Sequence, residues 1–91
     1  MAVTVKLPAQ LRDAAGGAST AEVEGGTVGA ALDALYSQHG ELRARMADDD
    51  GGLRRFVNVY LAGEDIRFLD GLDTTVSDGA ELTVLPAVAG G

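Results

Sequence analysis

Cysteine and tryptophan are both absent from this chain of 91 residues. Without cysteine there is no disulfide framework, no thiolate nucleophile and no cysteine-based zinc site. Aromatic residues make up only 4% of the sequence, so leucine and valine must fill most of the core. A chain of this length is expected to form one small domain around one modest core.

Basic residues are also scarce, because 7 Lys and Arg stand against 14 Asp and Glu and give a formal charge of −7. Such a negative surface repels nucleic acid and anionic lipid, so neither is an expected partner. No apolar run approaches the ~20 residues of a membrane-spanning helix, and the N-terminus lacks the pattern of a signal peptide. We therefore expect an acidic, soluble, cytoplasmic protein.

The first half of the chain contains two strand patterns and one clear helix pattern. Residues 3–7 alternate apolar and polar side chains up to Pro8, and residues 19–24 alternate again, which predicts an opening hairpin with a long loop. Apolar residues then recur with a 3.6-residue period over Val28–His39, which predicts a helix. Thr27 is a suitable N-cap for this helix and Gly40 a suitable terminator.

The second half is predicted to be mainly β structure. Leu42 and Met46 extend the helical pattern briefly before an exposed loop at residues 48–52. Strands are predicted at residues 56–61, at residues 66–69 and around Leu82 and Val84 as far as Pro86, with turns at residues 62–65 and 78–79. Strands grouped around one main helix indicate an α+β roll, with the helix packed across one face of a mixed sheet.

Catalytic motifs are absent, and three weaker signals each have a structural explanation that we favour. His39 is the only histidine, and a lone histidine is a poor metal site. Asp48–Asp50 lacks the ligand spacing of a calcium loop, which favours a solvated loop. Gly25-Gly26-Thr27 precedes a helix as anion-binding turns do, but no Lys or Arg stands near it, which favours closure of the hairpin. We therefore expect no metal site, no bound cofactor and no enzyme active site.

The C-terminal sequence Ala87-Val88-Ala89-Gly90-Gly91 allows two interpretations. It is either a frayed end or a segment whose Gly91 carboxylate is itself the reactive group. Two glycines can thread a channel that is too narrow for any side chain. The carboxylate is ionised at pH 7 and can attack an activated phosphate.

This tail, together with the order of strands and helix, resembles the β-grasp sulfur-carrier proteins of the MoaD/ThiS type, which are prokaryotic relatives of ubiquitin. The resemblance spans nearly the whole chain and is carried by Pro8-Ala9-Gln10-Leu11-Arg12-Asp13, Thr27-Val28, Ser77-Asp78-Gly79 and Leu85-Pro86-Ala87-Val88-Ala89-Gly90-Gly91. Within this family, Arg55-Phe56-Val57-Asn58-Val59-Tyr60 and Glu64-Asp65-Ile66-Arg67-Phe68 are most similar to the CysO type, a carrier for cysteine synthesis.

The resemblance implies a mechanism and a set of partners. A ThiF/MoeB-like, E1-type enzyme would use ATP and Mg²⁺ to adenylate Gly91, and a sulfur donor would convert the adenylate to a thiocarboxylate. A PLP-dependent synthase, or another thio-transfer synthase, would accept the sulfur, and a metalloprotease would release cysteine from the tail. Other branches of the family supply molybdopterin, thiazole or thiosugars. The implied organisation is a β-grasp domain over residues 1–86 and a flexible tail over residues 87–91, in which Val88 to Gly91 thread the partner's active site.

The alternation of side chains along the strands also predicts a surface on which a partner docks. If Val57, Val59, Leu82 and Val84 face the helix, then Phe56, Tyr60 and Leu85 lie on the opposite, uncovered face. We name these three residues the docking patch, because large apolar groups on an exposed sheet face indicate a partner surface. In the alternative interpretation, Phe56 only completes a secondary apolar cluster. Two other functions stay open, namely a protein modifier joined to lysines through Gly91 and a non-covalent β-grasp binding module.

Overall fold

The structure is a computed structural model that describes residues 1–55 and 57–86. Five strands form one sheet in the order β2-β1-β5-β3-β4. The strands are β1 (Ala2–Lys6), β2 (Thr20–Glu24), β3 (Val57–Leu61), β4 (Glu64–Asp65) and β5 (Ala80–Pro86). The helices are α1 (Ala9–Arg12), α2 (Val28–Gln38) and α3 (Gly40–Met46).

The pairing of the strands makes the sheet mixed. β1 runs antiparallel to β2 and parallel to β5, while β5 runs antiparallel to β3. Val5 stands opposite Leu82, and Val59 stands opposite Val84, so the aliphatic residues of neighbouring strands share one face. A mixed sheet with a main helix across one face is the β-grasp arrangement that the resemblance implies, and the α+β prediction is confirmed.

A single apolar core lies between α2, α3 and this inner face of the sheet. The side-chain oxygen of Thr27 accepts a hydrogen bond from the Ala30 N–H at 3.1 Å, so the predicted N-cap of α2 is confirmed. The inward residues of α2 are those of the predicted stripe: Val28, Ala31, Leu32, Leu35 and Tyr36. Burying each Leu or Val side chain contributes about 1.5–3 kcal/mol, so this interface supplies most of the stability of the domain.

Gly25 is packed where no side chain fits. A Cβ atom built on Gly25 would lie 2.5 Å from the backbone nitrogen of Ala31, in the first turn of α2. Gly26, by contrast, has nothing within 4 Å of the same position, and its carbonyl accepts the Val76 N–H at 3.1 Å. The glycine pair therefore packs the end of β2 tightly against the start of α2. The Gly25 N–H also donates to the Met1 carbonyl at 3.0 Å, which closes the open end of the β1–β2 hairpin.

Two predicted elements differ in the structure. Residues 66–69 do not form a strand, since Ile66–Phe68 is a 3₁₀ turn and the strand beside β3 is the two-residue β4. The Asp65 carboxylate accepts the Arg67 N–H at 2.9 Å and so ends the strand as soon as it begins. Gly40 does not terminate the helical region, because it has no positive φ and opens α3 directly after the His39 cap.

The loop of the opening hairpin also contains structure that the sequence patterns did not predict. It folds into α1 and a following 3₁₀ turn at Asp13–Ala15. Leu11 anchors α1 in the core, and the Arg12 side chain donates to the Leu7 carbonyl at 3.2 Å. The predicted tail, residues 87–91, lies outside the described residues.

Candidate docking face and tail exit

The face of the sheet opposite the helices is polar across its centre. Thr4, Lys6, Glu81 and Thr83 alternate with the buried residues of β1 and β5 and therefore point to this outer face. Lys6 and Glu81 are exposed, and Thr4 and Thr83 are half-buried. The outer face is thus the open side on which a partner can dock.

Tyr60 and Leu85 are brought together on the outer face. Tyr60 stands opposite Thr83 in the β3–β5 ladder, and Asn58 stands opposite Leu85, which makes Tyr60 and Leu85 diagonal neighbours about 7–8 Å apart. Tyr60 is half-buried and Leu85 is 44% exposed. Both residues lie on the outer face, as strand parity predicts, while Phe56 lies outside the described residues. Their role in binding a partner stays a prediction.

The part of the outer face formed by β2, β1 and β5 is acidic. Lys6 is paired with Glu81 at 3.4 Å, and the Thr4 hydroxyl donates to Glu22 at 2.6 Å. One lysine therefore shares the outer face with several carboxylates, and the face keeps a negative field. Such a field favours partners whose contact surface is edged by Lys or Arg.

Thr83 also borders a groove that extends the open face. The groove has a volume of about 460 Å³ and runs between the β3–β4 turn at Ala62-Gly63 and the start of β5 at Gly79-Ala80. Since Thr83 stands opposite Tyr60, the groove adjoins the docking patch. A partner that covers Tyr60 can also fill this groove.

The end of β5 marks where the tail begins. Pro86 stands opposite Val57, at the same end of the sheet as the start of β3. The Val57 carbonyl accepts a hydrogen bond from Nη2 of Arg67 at 2.9 Å, and this bond secures the free edge of β3 at that point. The predicted reactive residue Gly91 lies outside the described residues, as do Val88, Ala89 and Gly90, which are predicted to thread the partner's active site with it.

A second hollow of about 590 Å³ is lined by Tyr36, Arg43, Asp48 and Arg54, among others. Burial, with a smaller contribution from Asp33, raises the pKa of the Tyr36 hydroxyl to about 12 against a small opposing effect of Arg43, so the phenol is neutral at physiological pH. Over residues 1–55 and 57–86, no group of three or more His, Asp or Glu is arranged to hold a metal ion.

The weaker sequence signals have structural roles. The His39 N–H donates to Leu35 and its carbonyl accepts from Leu42, so His39 joins α2 to α3. The Asp48 carboxylate accepts the N–H groups of Asp50 and Gly52, both at 3.0 Å, and so closes the exposed loop. In the part of the chain that is described, no helix is long and apolar enough to cross a membrane.

Phe68 is a surface feature that the sequence interpretation missed. The sequence pattern predicted only a strand at residues 66–69, whereas in the structure 83% of Phe68 is exposed and 39% of its neighbour Leu69 is exposed. Both residues are strongly apolar, and their hydropathy favours burial. The one signal in the sequence that pointed to exposure is their position between several Asp residues.

Comparison with known proteins places this geometry in a family. The sequence model described as the ThiS family matches residues 5–91. The sulfur carrier protein CysO of Mycobacterium tuberculosis is 43% identical over 93 residues, with all of both chains covered. Small archaeal modifier protein 1 of Haloferax volcanii is 40% identical over 94% of this chain and 97% of its own. A chain in the crystal structure of the Amycolatopsis orientalis BexX/CysO complex superimposes with a TM-score of 0.89 at 46% identity, covering 98% of this chain and 99% of that one.

Proposed function

The chain belongs to the ThiS family, and we propose that it is a sulfur carrier that holds sulfur on the carboxyl group of Gly91. The observation that carries this proposal is the extent of the family match, which runs from residue 5 through residue 91 and so includes Gly90 and Gly91. The full-length similarity to a sulfur carrier protein of the CysO type supports it.

The chemistry has two steps. On an E1-like enzyme of the ThiF/MoeB type, a carboxylate oxygen of Gly91 attacks the α-phosphorus of ATP, and pyrophosphate leaves with Mg²⁺. The carboxyl group is then an acyl-adenylate. A sulfur donor attacks its carbonyl carbon, AMP leaves, and Gly91 ends in a thiocarboxylate.

The domain itself contributes recognition. Tyr60 and Leu85 form an apolar pair on an open, acidic face, next to the groove and on the strands from which the tail departs. We assign the docking of the activating enzyme to this patch, with Phe56 as its third member. Val88 to Gly91 then extend into the nucleotide site of that enzyme.

A second enzyme must accept the sulfur. The thiocarboxylate sulfur is the nucleophile, and the acceptor is an activated serine on a PLP-dependent synthase or the substrate of another thio-transfer synthase. A metalloprotease completes the cysteine branch by cleaving the product from Gly91. No thiol is required of the carrier, consistent with the absence of cysteine from the chain.

Mass spectrometry of the intact protein tests this proposal. After incubation with the E1-like enzyme, ATP, Mg²⁺ and sulfide, we expect one oxygen of the chain to be replaced by one sulfur. Deletion of Gly91 should abolish both the mass change and ATP–pyrophosphate exchange, because the carboxylate would fall about 3.3–3.6 Å short of the phosphate. Gly90→Ala should slow exchange without lowering the melting temperature. Normal exchange by the Gly91 deletion would refute the proposal.

Protein modification is a second candidate, favoured by the 40% identity to a small archaeal modifier protein. In that function the activated Gly91 carbonyl forms an isopeptide bond with a lysine of another protein. Immunoblots of cell lysates would then show covalent ladders that vanish when Gly91 is deleted. A non-covalent β-grasp module would give neither ladders nor exchange.

A further inference from the structure

Phe68 and Leu69 form an exposed apolar pair at the edge of the sheet. Ile66 is 2% exposed and anchors the 3₁₀ turn, whereas Phe68, at the end of the same turn, is 83% exposed. Leu69 follows at 39%. The fold gains little from the Phe68 side chain, which is therefore available to another molecule together with the exposed part of Leu69.

Carboxylates flank this pair in the chain, at Glu64, Asp65, Asp70 and Asp73. Among the residues that the structure describes, none of the four forms an ion pair. Arg67 is the only basic residue between them, and its guanidinium donates to the backbone carbonyls of Val57 and Arg55. Residues 64–73, which we name the edge segment, therefore present an apolar centre with an acidic border.

Arg67 connects the edge segment to the end of the sheet where the tail begins. Arg67 reaches the Val57 carbonyl at 2.9 Å, and Val57 is the partner of Pro86 on the next strand. Adjacent strands are about 4.7–4.9 Å apart, so one arginine side chain and one strand spacing separate the edge segment from the last described residue before the tail. A protein that takes the tail into its active site and covers Pro86 therefore comes close to Arg67.

We propose that Phe68 and Leu69 are a second docking site for the ATP-dependent enzyme that activates the tail, separate from the docking patch. This inference rests on the proposed function. The enzyme receives these two side chains in an apolar pocket that is bordered by Lys or Arg. An enzyme that binds the phosphates of ATP concentrates positive charge around its nucleotide site, and this charge complements the carboxylates that flank Phe68 and Leu69 in the chain. A second copy of the chain, or an anionic membrane, would meet that border with charge of the same sign.

The apolar part is tested by ATP–pyrophosphate exchange, with the full chain as the varied substrate and the E1-like enzyme of the same genome. Phe68→Ala should raise KM for the chain about tenfold with kcat nearly unchanged, as expected when binding common to ground and transition states is lost. Phe68→Leu should restore most of the loss, and neither variant should change the melting temperature. Exchange by Phe68→Ala at the wild-type KM would overturn the inference while leaving the proposed function intact. Absence of exchange with the wild-type chain would instead refute the proposed function.

The acidic border is tested with two matched double variants. One variant combines Asp70→Lys with Asp73→Lys, and the other combines Asp49→Lys with Asp50→Lys. Both make the same change in net charge, on exposed residues in different places. Only the first pair should raise KM several-fold and weaken the dependence of exchange on salt. Equal effects of the two double variants on KM would overturn the proposed complementarity. A dimer that is seen in sedimentation and that Phe68→Ala dissociates would also overturn it, since Phe68 and Leu69 would then bind a second copy of the chain.

Discussion

The two faces of the sheet carry opposite kinds of side chain, although the same strands supply both. On β5, Leu82 is fully buried under the helices, while its neighbour Thr83 is half-exposed on the other side. On β3, Val59 is 1% exposed and Tyr60 next to it is open to a partner. Alternation along the strands thus separates stability from recognition, so each face can be changed with little effect on the other.

The largest expected effect is on the inner face. Leu82→Ala should lower the free energy of unfolding by about 2–5 kcal/mol, because it leaves a cavity in the centre of the core. The matched substitution Thr83→Ala, one residue along the strand, should change it by only about 0.5 kcal/mol or less. Urea denaturation of both variants measures the difference. Similar losses would mean that the two faces are not independent.

The next effect concerns the contact between β2 and the helix on the inner face. Gly25→Ala should lower the free energy of unfolding by about 1–3 kcal/mol, since its methyl group would overlap the backbone of Ala31. Gly26→Ala is the control and should be nearly neutral, because the same group would enter open space. Thermal melts of the two variants measure this difference in stability. Equal melting temperatures would contradict the close approach of Gly25 to the backbone of Ala31.

The outer face should show the reverse behaviour. Tyr60→Ala or Leu85→Ala should weaken binding to the activating enzyme by about 1–3 kcal/mol while leaving the melting temperature unchanged. Thr20→Ala lies on β2, at the other edge of the same sheet, and should alter neither quantity. Isothermal titration calorimetry measures the affinities. If both the Tyr60 and the Leu85 variant bound the activating enzyme with wild-type affinity, the docking patch would have no part in that binding.

The smallest effect is expected at the turn that joins β3 to β4. Ala62 has a φ of 53° and Gly63 a φ of 85°, so an alanine occupies a left-handed position that asparagine or glycine tolerates better. Ala62→Asn should raise the free energy of unfolding by up to about 1 kcal/mol, and Gly63→Ala should lower it. Chemical denaturation of both variants tests the sign. Destabilisation by Ala62→Asn would show that this side chain has a packing role.

Local patterns in the sequence were sufficient for much of this architecture. The stripe on α2, its Thr27 cap, the alternation in β1 and β5 and the turn at Asp78-Gly79 are periodicities or short-range hydrogen bonds. Such features depend on residues only a few positions apart, and burial on one side of an element leaves a direct trace in hydropathy. The inward and outward parity of Val59 and Tyr60 followed for the same reason.

Other features required contacts between distant parts of the chain. Tyr60 and Leu85 are neighbours because of the register between β3 and β5, two strands that are far apart in sequence. The contact of Gly25 with Ala31 depends on the angle at which β2 meets α2. Residues 66–69 have the composition of a strand, yet the bond from Arg67 to Asp65 turns the chain and leaves Phe68 in solvent. The sequence by itself determined which residues favour burial and which element each pattern builds. Only the tertiary structure decided which of them become neighbours and which apolar groups stay exposed, because register and close packing depend on the whole fold.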